Sequence, residues 1–339
     1  MKSEELPPLD EEIKEKLPWS VEKINEYLRG QAMEIDTRGH RITKAIIAVL
    51  VFFIRKLSWA GAHRLGTWIG KILYLFKTRR DIAMVNLDIA FGDRKTPQEK
   101  EAIYKASLLT FASHMLNYLR TPLMNEAFWE GFEVENQKVV HELMRRGKGG
   151  ILIGSHTGEW EIGVGRVGMM GYRATMIAKR IGHPVIEKFI NDARLDMNLG
   201  TRFNKGSMDE ILEAVRRGEV VGMAIDQNIR AGRGVFVDWL GRSASTIRSS
   251  AYVARETGAP VFAGYAYRTP QGRFKGVILG EIPWEPHPED PENELIINTR
   301  NHARAIEKVI YEHPELWLWI HRRWKVQPEG VPSPYKDDG

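Results

Sequence analysis

No cysteine occurs in the 339 residues. That excludes a disulfide framework, thiol nucleophiles and cysteine-ligated zinc or iron–sulfur centres, and it fits a reducing compartment. The most apolar segment, Ala45–Ile54 (AIIAVLVFFI), would make a helix of about 15 Å, half the hydrocarbon thickness of a bilayer, so a spanning helix is not expected from it. The N-terminus lacks the positive segment, apolar stretch and small-residue cleavage site of a secretory signal. Internal repeats and low-complexity tracts are absent as well. No G-x-S-x-G elbow is found, and Gly234–Gly241 lacks the G-x-x-x-x-G-K-[ST] pattern of a phosphate loop, so a serine acyl-enzyme and nucleotide hydrolysis have little support.

Acidic residues are the minority charge: Lys and Arg exceed Asp and Glu by 49 − 44 = +5. Basic residues fall in pairs, Arg79–Arg80, Arg145–Arg146, Arg216–Arg217 and Arg322–Arg323, which suits anionic lipid, phosphorylated substrates or nucleic acid. Residues 1–40 are charged and carry Pro7, Pro8 and Pro18; within this extension Val21–Leu28 has the pattern of a short amphipathic helix. Arg41, Lys44, Arg55 and Lys56 flank the apolar run, and Trp59, Trp68 and Tyr74 follow among further cations. Cations and aromatics around an apolar stretch are expected of helices lying in a headgroup region, so residues 41–95 read as a membrane-associating unit.

From residue 96 the pattern becomes that of a globular domain, taken to run to 330 with a tail at 331–339. Thr96-Pro97-Gln98-Glu99 has the form of an N-cap with proline first and glutamate third in a helix that continues through Leu119. Beyond residue 150, the short apolar runs GGILIGS, ATMIAK, VVGMAID and APVFAGYAY alternate with helical stretches such as 184–197, 208–217 and 246–257. Strands separated by helices indicate an α/β sheet with ligands at the carboxyl ends of its strands. His156 and Asp226 each stand just beyond such a strand.

The segment GSHTGEWEIG from Gly154 holds His156 and Glu161 five positions apart. Within one continuous helix such a pair stands 140° apart, but a histidine in the turn before a helix can meet a carboxylate in its first two turns. A carboxylate on Nδ1 fixes the tautomer and leaves Nε2 to take a proton from a hydroxyl. Glu159 competes with Glu161 for that role, and spacing does not choose between them. The helix start also offers backbone N–H groups to a developing oxyanion.

HTGEWE matches the H-x4-[DE] signature of the glycerolipid and lysophospholipid acyltransferases. In particular it resembles the branch holding the late (lauroyl/myristoyl) lipid A acyltransferases and the mycobacterial phosphatidylinositol mannoside acyltransferase. Three further segments are similar to that branch in the same order: RDIAMVNLDIAF at 80–91, GVFVDWLGRSAST at 234–246 and PELWLWIHRRWK at 314–325. Together they extend over roughly residues 45–328 and leave the first 40 outside.

The resemblance implies a two-layer α/β acyltransferase fold with a mixed, largely parallel sheet flanked by helices, preceded by membrane-associating helices. It implies transfer of a fatty acyl group from a thioester of acyl carrier protein or coenzyme A to a hydroxyl of a glycolipid of the lipid A precursor type. A lysophospholipid, mannolipid or aminolipid acceptor is the alternative. The thioester is a co-substrate, and neither a further cofactor nor a metal is implied. The expected place of action is the cytoplasmic face of a bacterial inner membrane, with peripheral or monotopic attachment. His156 would be the base in a direct attack and Glu161 its orienting acid, while Arg194 and Asp226 match an arginine and an aspartate that contribute to activity in the branch. In the mannoside acyltransferase an acid near position 226 pairs with the histidine, so Asp226 competes with Glu161. Lys179, Arg180, Gln227, Arg233 and Arg242 suit contacts to substrate phosphates or headgroups. Two departures from the branch are notable: Asp226-Gln-Asn-Ile replaces an Asp-x-Asp-x-Gly run, and Trp239-Leu replaces Phe-Phe.

Other classes fit parts of the sequence. A basic nucleic-acid-binding module would use Trp317, Trp319 and Trp324 to stack bases, although the leading reading has no nucleic-acid partner. A noncatalytic lipid-binding protein would use those tryptophans as a lipid-facing belt. A thioester hydrolase would use His156 on water.

Overall fold

The computed structural model describes residues 38–203 and 208–336; Val21–Leu28 and nearly all of the 1–40 extension lie outside these residues. The described chain begins with four helices: α1 (Arg38–Lys56), α2 (Trp59–Leu75), α3 (Arg80–Phe91) and α4 (Pro97–Tyr118). Ser58 separates the first two by accepting the Gly61 N–H as an N-cap, and Thr96 with Glu99 forms the expected capping box of α4. Helices α2 and α4 approach closely because Gly66 and Gly70 face the α4 backbone. A Cβ on Gly66 would lie 2.5 Å from the Ser113 Cα, and one on Gly70 2.6 Å from the Leu109 Cα.

Next come α5 (Glu126–Glu130), β1 (Glu133–Glu135), α6 (Gln137–Met144), β2 (Gly150–Gly154), α7 (Trp160–Met169) and β3 (Ala174–Ala178). The chain continues through α8 (Pro184–Leu195), β4 (Leu199–Phe203), α9 (Met208–Arg216) and β5 (Val220–Ala224). A hairpin of β6 (Val235–Trp239) and β7 (Arg242–Thr246) precedes α10 (Ser249–Thr257), β8 (Val261–Arg268), β9 (Phe274–Ile282) and α11 (Pro291–Glu312). Seven strands form one mixed sheet in the order β1-β9-β8-β2-β5-β3-β4. Only β8 with β9 pairs antiparallel. This is the α/β arrangement expected from the alternating pattern.

Both faces of the sheet are covered, which explains why β2 reads as an unbroken apolar run rather than an alternation. Ile151 and Ile153 enter one core with α3, α4, α9, α10 and α11. Leu152 enters the other, against α6 and α7. The β6–β7 hairpin stands apart from the sheet and alternates: Val235, Val237 and Trp239 are buried while Phe236 and Asp238 face out.

Three boundaries differ from the sequence reading. Thr246 ends β7 rather than opening a helix, because it pairs across the hairpin with Val235, as Ser245 does with Phe236. Helix α8 stops at Leu195, and LGTRF at 199–203 is an edge strand on β3 whose arginine and threonine masked its apolar content. The 317–324 stretch is not a lipid-facing belt. Trp317, Trp319 and Trp324 are 1%, 0% and 0% exposed, so no base or lipid can stack on them.

In Ala45–Ile54 only Val51 is buried, whereas Ile46, Val49, Leu50, Phe52 and Phe53 are exposed. Among the described residues, no helix is long and apolar enough to cross a membrane.

Candidate active site

Strands β2 and β5 are parallel neighbours at the centre of the sheet, in a register that sets Gly154 opposite Ala224. Two residues further on, each strand delivers one member of a pair. The His156 Nδ1 lies 2.9 Å from Asp226 Oδ1, and the His156 backbone N–H donates to Asp226 Oδ2 at 3.0 Å. The two residues come together because the strands end level and point the same way, at the carboxyl edge where α/β sheets bind ligands.

The turn after β2 is held from behind by the segment following α11. Gly158 N–H donates to the Leu316 carbonyl at 2.9 Å, and Leu318 N–H donates to the His156 carbonyl at 3.2 Å. Gly158 has φ +57°, and a Cβ there would lie 2.2 Å from the Ala266 carbonyl oxygen, so only glycine fits. Trp317 adds a direct contact, its indole N–H donating to Asp226 Oδ2 at 2.8 Å. Asn86, from the RDIAMVNLDIAF segment, fixes the same strand-like stretch by donating to the Trp319 and His321 carbonyls at 2.6 and 2.8 Å.

Asp226 is 3% exposed. Burial alone would push its pKa up, but His156 and the Trp317 indole hold the carboxyl well below the usual carboxylate range. Burial likewise disfavours charge on His156; the adjacent Asp226 charge and hydrogen bond, helped by Glu161, nevertheless raise it above the ordinary histidine value. Since an ionised carboxylate only accepts, Nδ1 carries the proton and Nε2 the lone pair. Nε2 faces the Gln227 amide nitrogen at 3.3 Å, and the Trp160 ring lies with its centroid 5.2 Å from that of His156.

Glu161, the orienting acid implied by the resemblance, does not touch His156. It sits in the first turn of α7 and turns to α8, where Arg194 grips it through Nη2 at 2.6 Å and Nε at 2.9 Å. Arg194 also reaches Thr201 Oγ1 at 3.3 Å. Burial opposes ionisation of Glu161, yet the guanidinium lowers its pKa, and Arg194 is held firmly cationic in return. Glu161 therefore acts on the imidazole only through space. Glu159, the other local candidate, is also engaged elsewhere: His114 Nδ1 lies 2.8 Å from one carboxylate oxygen and Asn117 Nδ2 donates to the other at 2.7 Å.

The remaining candidates are dispersed. Lys179 and Arg180 are exposed beyond β3 on the same sheet edge, with Arg180 bound to Glu187 at 2.8 Å and lying 4.0 Å over the Phe203 ring. Arg233 is exposed in the turn before β6. Arg242 is at the opposite end of the hairpin from Val235 and Thr246 and bonds Gln327 and the Pro332 carbonyl, both at 3.2 Å. Of the nine, then, His156, Asp226 and Gln227 are in mutual contact, Glu161 and Arg194 form a second pair behind them, and the others stand apart.

The indole of Trp317 and the half-buried His321 were not legible as site residues in the sequence. His321 accepts the Asn228 N–H at 3.1 Å, and burial pushes its pKa down to about 4, so it is a neutral acceptor anchoring the turn after Asp226. A histidine within a tryptophan-rich segment was the available signal. An apolar cavity lies between α7 and the sheet, with Ser155 and Trp160 beside the His156 turn and Phe132, Val134 and Ile278 among its further walls.

Comparison with known proteins gives a consistent result. The profile of the family described as bacterial lipid A biosynthesis acyltransferase matches residues 34–326. The lipid A biosynthesis lauroyltransferase of Escherichia coli (strain K12) is 27% identical over 294 residues, 84% of this chain and 92% of the relative. The palmitoleoyltransferase of the same organism is 28% identical over 282 residues, covering 80% and 87%. The lipid A biosynthesis acyltransferase of Haemophilus influenzae is 24% identical over 310 residues, covering 88% and 92%.

Proposed function

Because the chain belongs to the bacterial lipid A biosynthesis acyltransferase family, we propose that it moves a fatty acyl group from a thioester of acyl carrier protein or coenzyme A to a hydroxyl of a lipid A precursor, using His156 as base and Asp226 as its partner. The observation that carries this reading is the His156–Asp226 pair at the level ends of β2 and β5, beside a small apolar cavity.

The hydroxyl of the acceptor takes the place of the Gln227 amide at Nε2. His156 removes its proton while the oxygen attacks the thioester carbonyl. Asp226 keeps the tautomer and balances the imidazolium that forms. Collapse of the tetrahedral intermediate expels the thiolate, which takes the proton back from Nε2, so ester and free thiol leave together. Glu161 and Arg194 support this from behind as a buried ion pair that adds negative potential at the imidazole.

Membrane attachment is supported by α1. Its exposed Ile46, Val49, Leu50, Phe52 and Phe53, flanked by Arg41, Lys44 and Lys56, form an apolar surface with cations at both ends. Such a helix suits the interface of an anionic leaflet, which supports peripheral attachment at the cytoplasmic face of the inner membrane.

Acyl transfer from labelled acyl carrier protein and acyl-coenzyme A to bacterial lipid extract, with products resolved by mass, tests the reading. A lipid A product lost in His156→Ala is expected. A product on a lysophospholipid, mannolipid or aminolipid would reassign the acceptor; no His156-dependent product from folded, vesicle-bound protein would overturn the mechanism.

A further inference from the structure

Attack on a thioester places a negative charge on the former carbonyl oxygen, and that charge needs a donor. The backbone groups nearest His156 are already engaged. Its own N–H is on Asp226, while those of Thr157, Gly158 and Glu159 donate to the carbonyls of Ser155, Leu316 and Ala266 at 2.7, 2.9 and 2.7 Å. Taking an oxyanion donor from these four N–H groups would therefore break bonds that hold the turn itself.

Gln227 is placed differently. Its amide nitrogen is 3.3 Å from His156 Nε2, and the side chain is exposed. The backbone on both sides is fixed: Asp226 is held by three donors, and Asn228 is tied through its N–H to His321 at 3.1 Å and through Oδ1 to the Val326 N–H at 3.0 Å. The two oxygens of a tetrahedral carbon lie closer together than a hydrogen bond is long. A donor within reach of Nε2 consequently reaches the oxyanion once the attacking oxygen occupies Nε2.

We propose that the side-chain amide of Gln227 is the oxyanion donor of this enzyme, a catalytic residue rather than a headgroup contact. The assignment rests on the acyl-transfer reading above. In the resting site the amide N–H donates into the Nε2 lone pair. When the acceptor hydroxyl takes that position, the amide turns to the thioester oxygen. As the carbon–oxygen bond forms, the carbonyl π pair moves onto that oxygen, the hydroxyl proton moves to Nε2 and the amide donates to the new charge. Collapse returns the pair to the carbonyl, breaks the carbon–sulfur bond and sends the proton from Nε2 to the thiolate.

The test compares the unmutated chain, Gln227→Ala and Gln227→Glu with a lauroyl thioester and a lipid A precursor. Removing one oxyanion donor should lower kcat by about 10²–10³-fold with KM within about twofold, and the glutamate should be slower than the alanine because it brings a negative charge. An alkylphosphonate copying the tetrahedral oxyanion should lose affinity by the same factor as kcat/KM. A rise in KM at unchanged kcat would make Gln227 a binding contact, and unchanged kinetics would place the donor elsewhere; either result overturns the proposal. Failure of the underlying reading appears instead in the unmutated protein, as absent transfer or as transfer that survives His156→Ala.

Discussion

Trp317 donates its indole N–H to the Asp226 oxygen that also accepts the backbone N–H of His156. A residue 91 positions beyond Asp226 thus helps to set the direction of the carboxylate that partners His156. Trp317→Phe keeps the ring in its buried place and removes the donor. With less of its charge dispersed, Asp226 raises the His156 pKa further, so the acid limb of kcat/KM should move to higher pH while the plateau falls about tenfold. A purely structural role would lower the plateau and leave the limb where it is.

Asp226→Asn should act in the opposite direction on pH. His156 must be neutral to accept a proton, and its pKa is raised above 6.5, so activity should rise with pH through a value above 6.5. Removing the carboxylate charge should move that limb to lower pH, and loss of tautomer control should lower kcat by roughly 10³–10⁴-fold. The linked stability follows the same shifts. The His156 contribution is complete below 6.5 and lost as pH rises through its folded-state pKa; that of Asp226 is present above 3.8 and lost as pH falls through its depressed value. Denaturant midpoints across pH, with and without the substitution, check both signs.

Glu161 and Arg194 have side chains 12% and 8% exposed. Removing one partner strands the other charge in a dry site, so Glu161→Ala should cost about 3–5 kcal/mol in urea unfolding, and Glu161→Met with Arg194→Met should recover part of it. If Glu161→Ala left stability unchanged while abolishing turnover, Glu161 would be acting on the reaction directly.

Phe52 and Phe53 are 56% and 65% exposed. Replacing both by glutamate should weaken binding to anionic vesicles by roughly 10²-fold, taking about 1.5 kcal/mol for each buried phenyl ring. Sedimentation with vesicles should show the change while activity on detergent-dispersed acceptor persists. Equal vesicle binding would mean that another surface meets the lipid.

Much of the site was legible because it depends on local pattern. An apolar run ending in a glycine and a histidine is a strand feeding a turn, and a second run ending in Asp226 is its counterpart. The choice between Glu161 and Asp226 was not legible, since it turns on which two of seven strands are neighbours and in what register. Glu161 stands five residues from His156 and is turned away; Asp226 stands 70 residues off and touches it. The Trp317 contact lay hidden for the same reason. Tryptophans beside arginines resemble a membrane belt until their burial is known, and Arg323 is fully buried too, donating to the Ser245 carbonyl at 2.8 Å. Edge strand β4 escaped notice because its arginine and threonine are satisfied by neighbours: Arg202 pairs with Glu219 at 3.0 Å, and Thr201 accepts from Arg194.

The stretch from Pro314 to Lys325 is made long after the strands it supports. During synthesis β2 and β5 can pair, and His156 can meet Asp226, while the carbonyl of Leu316, the N–H of Leu318 and the indole of Trp317 have yet to leave the ribosome. Until they arrive, Gly158 has no acceptor and Asp226 lacks one of its three donors. The order of synthesis therefore differs from the order of support: the strands that present His156 and Asp226 precede in the chain the segment that holds them in place.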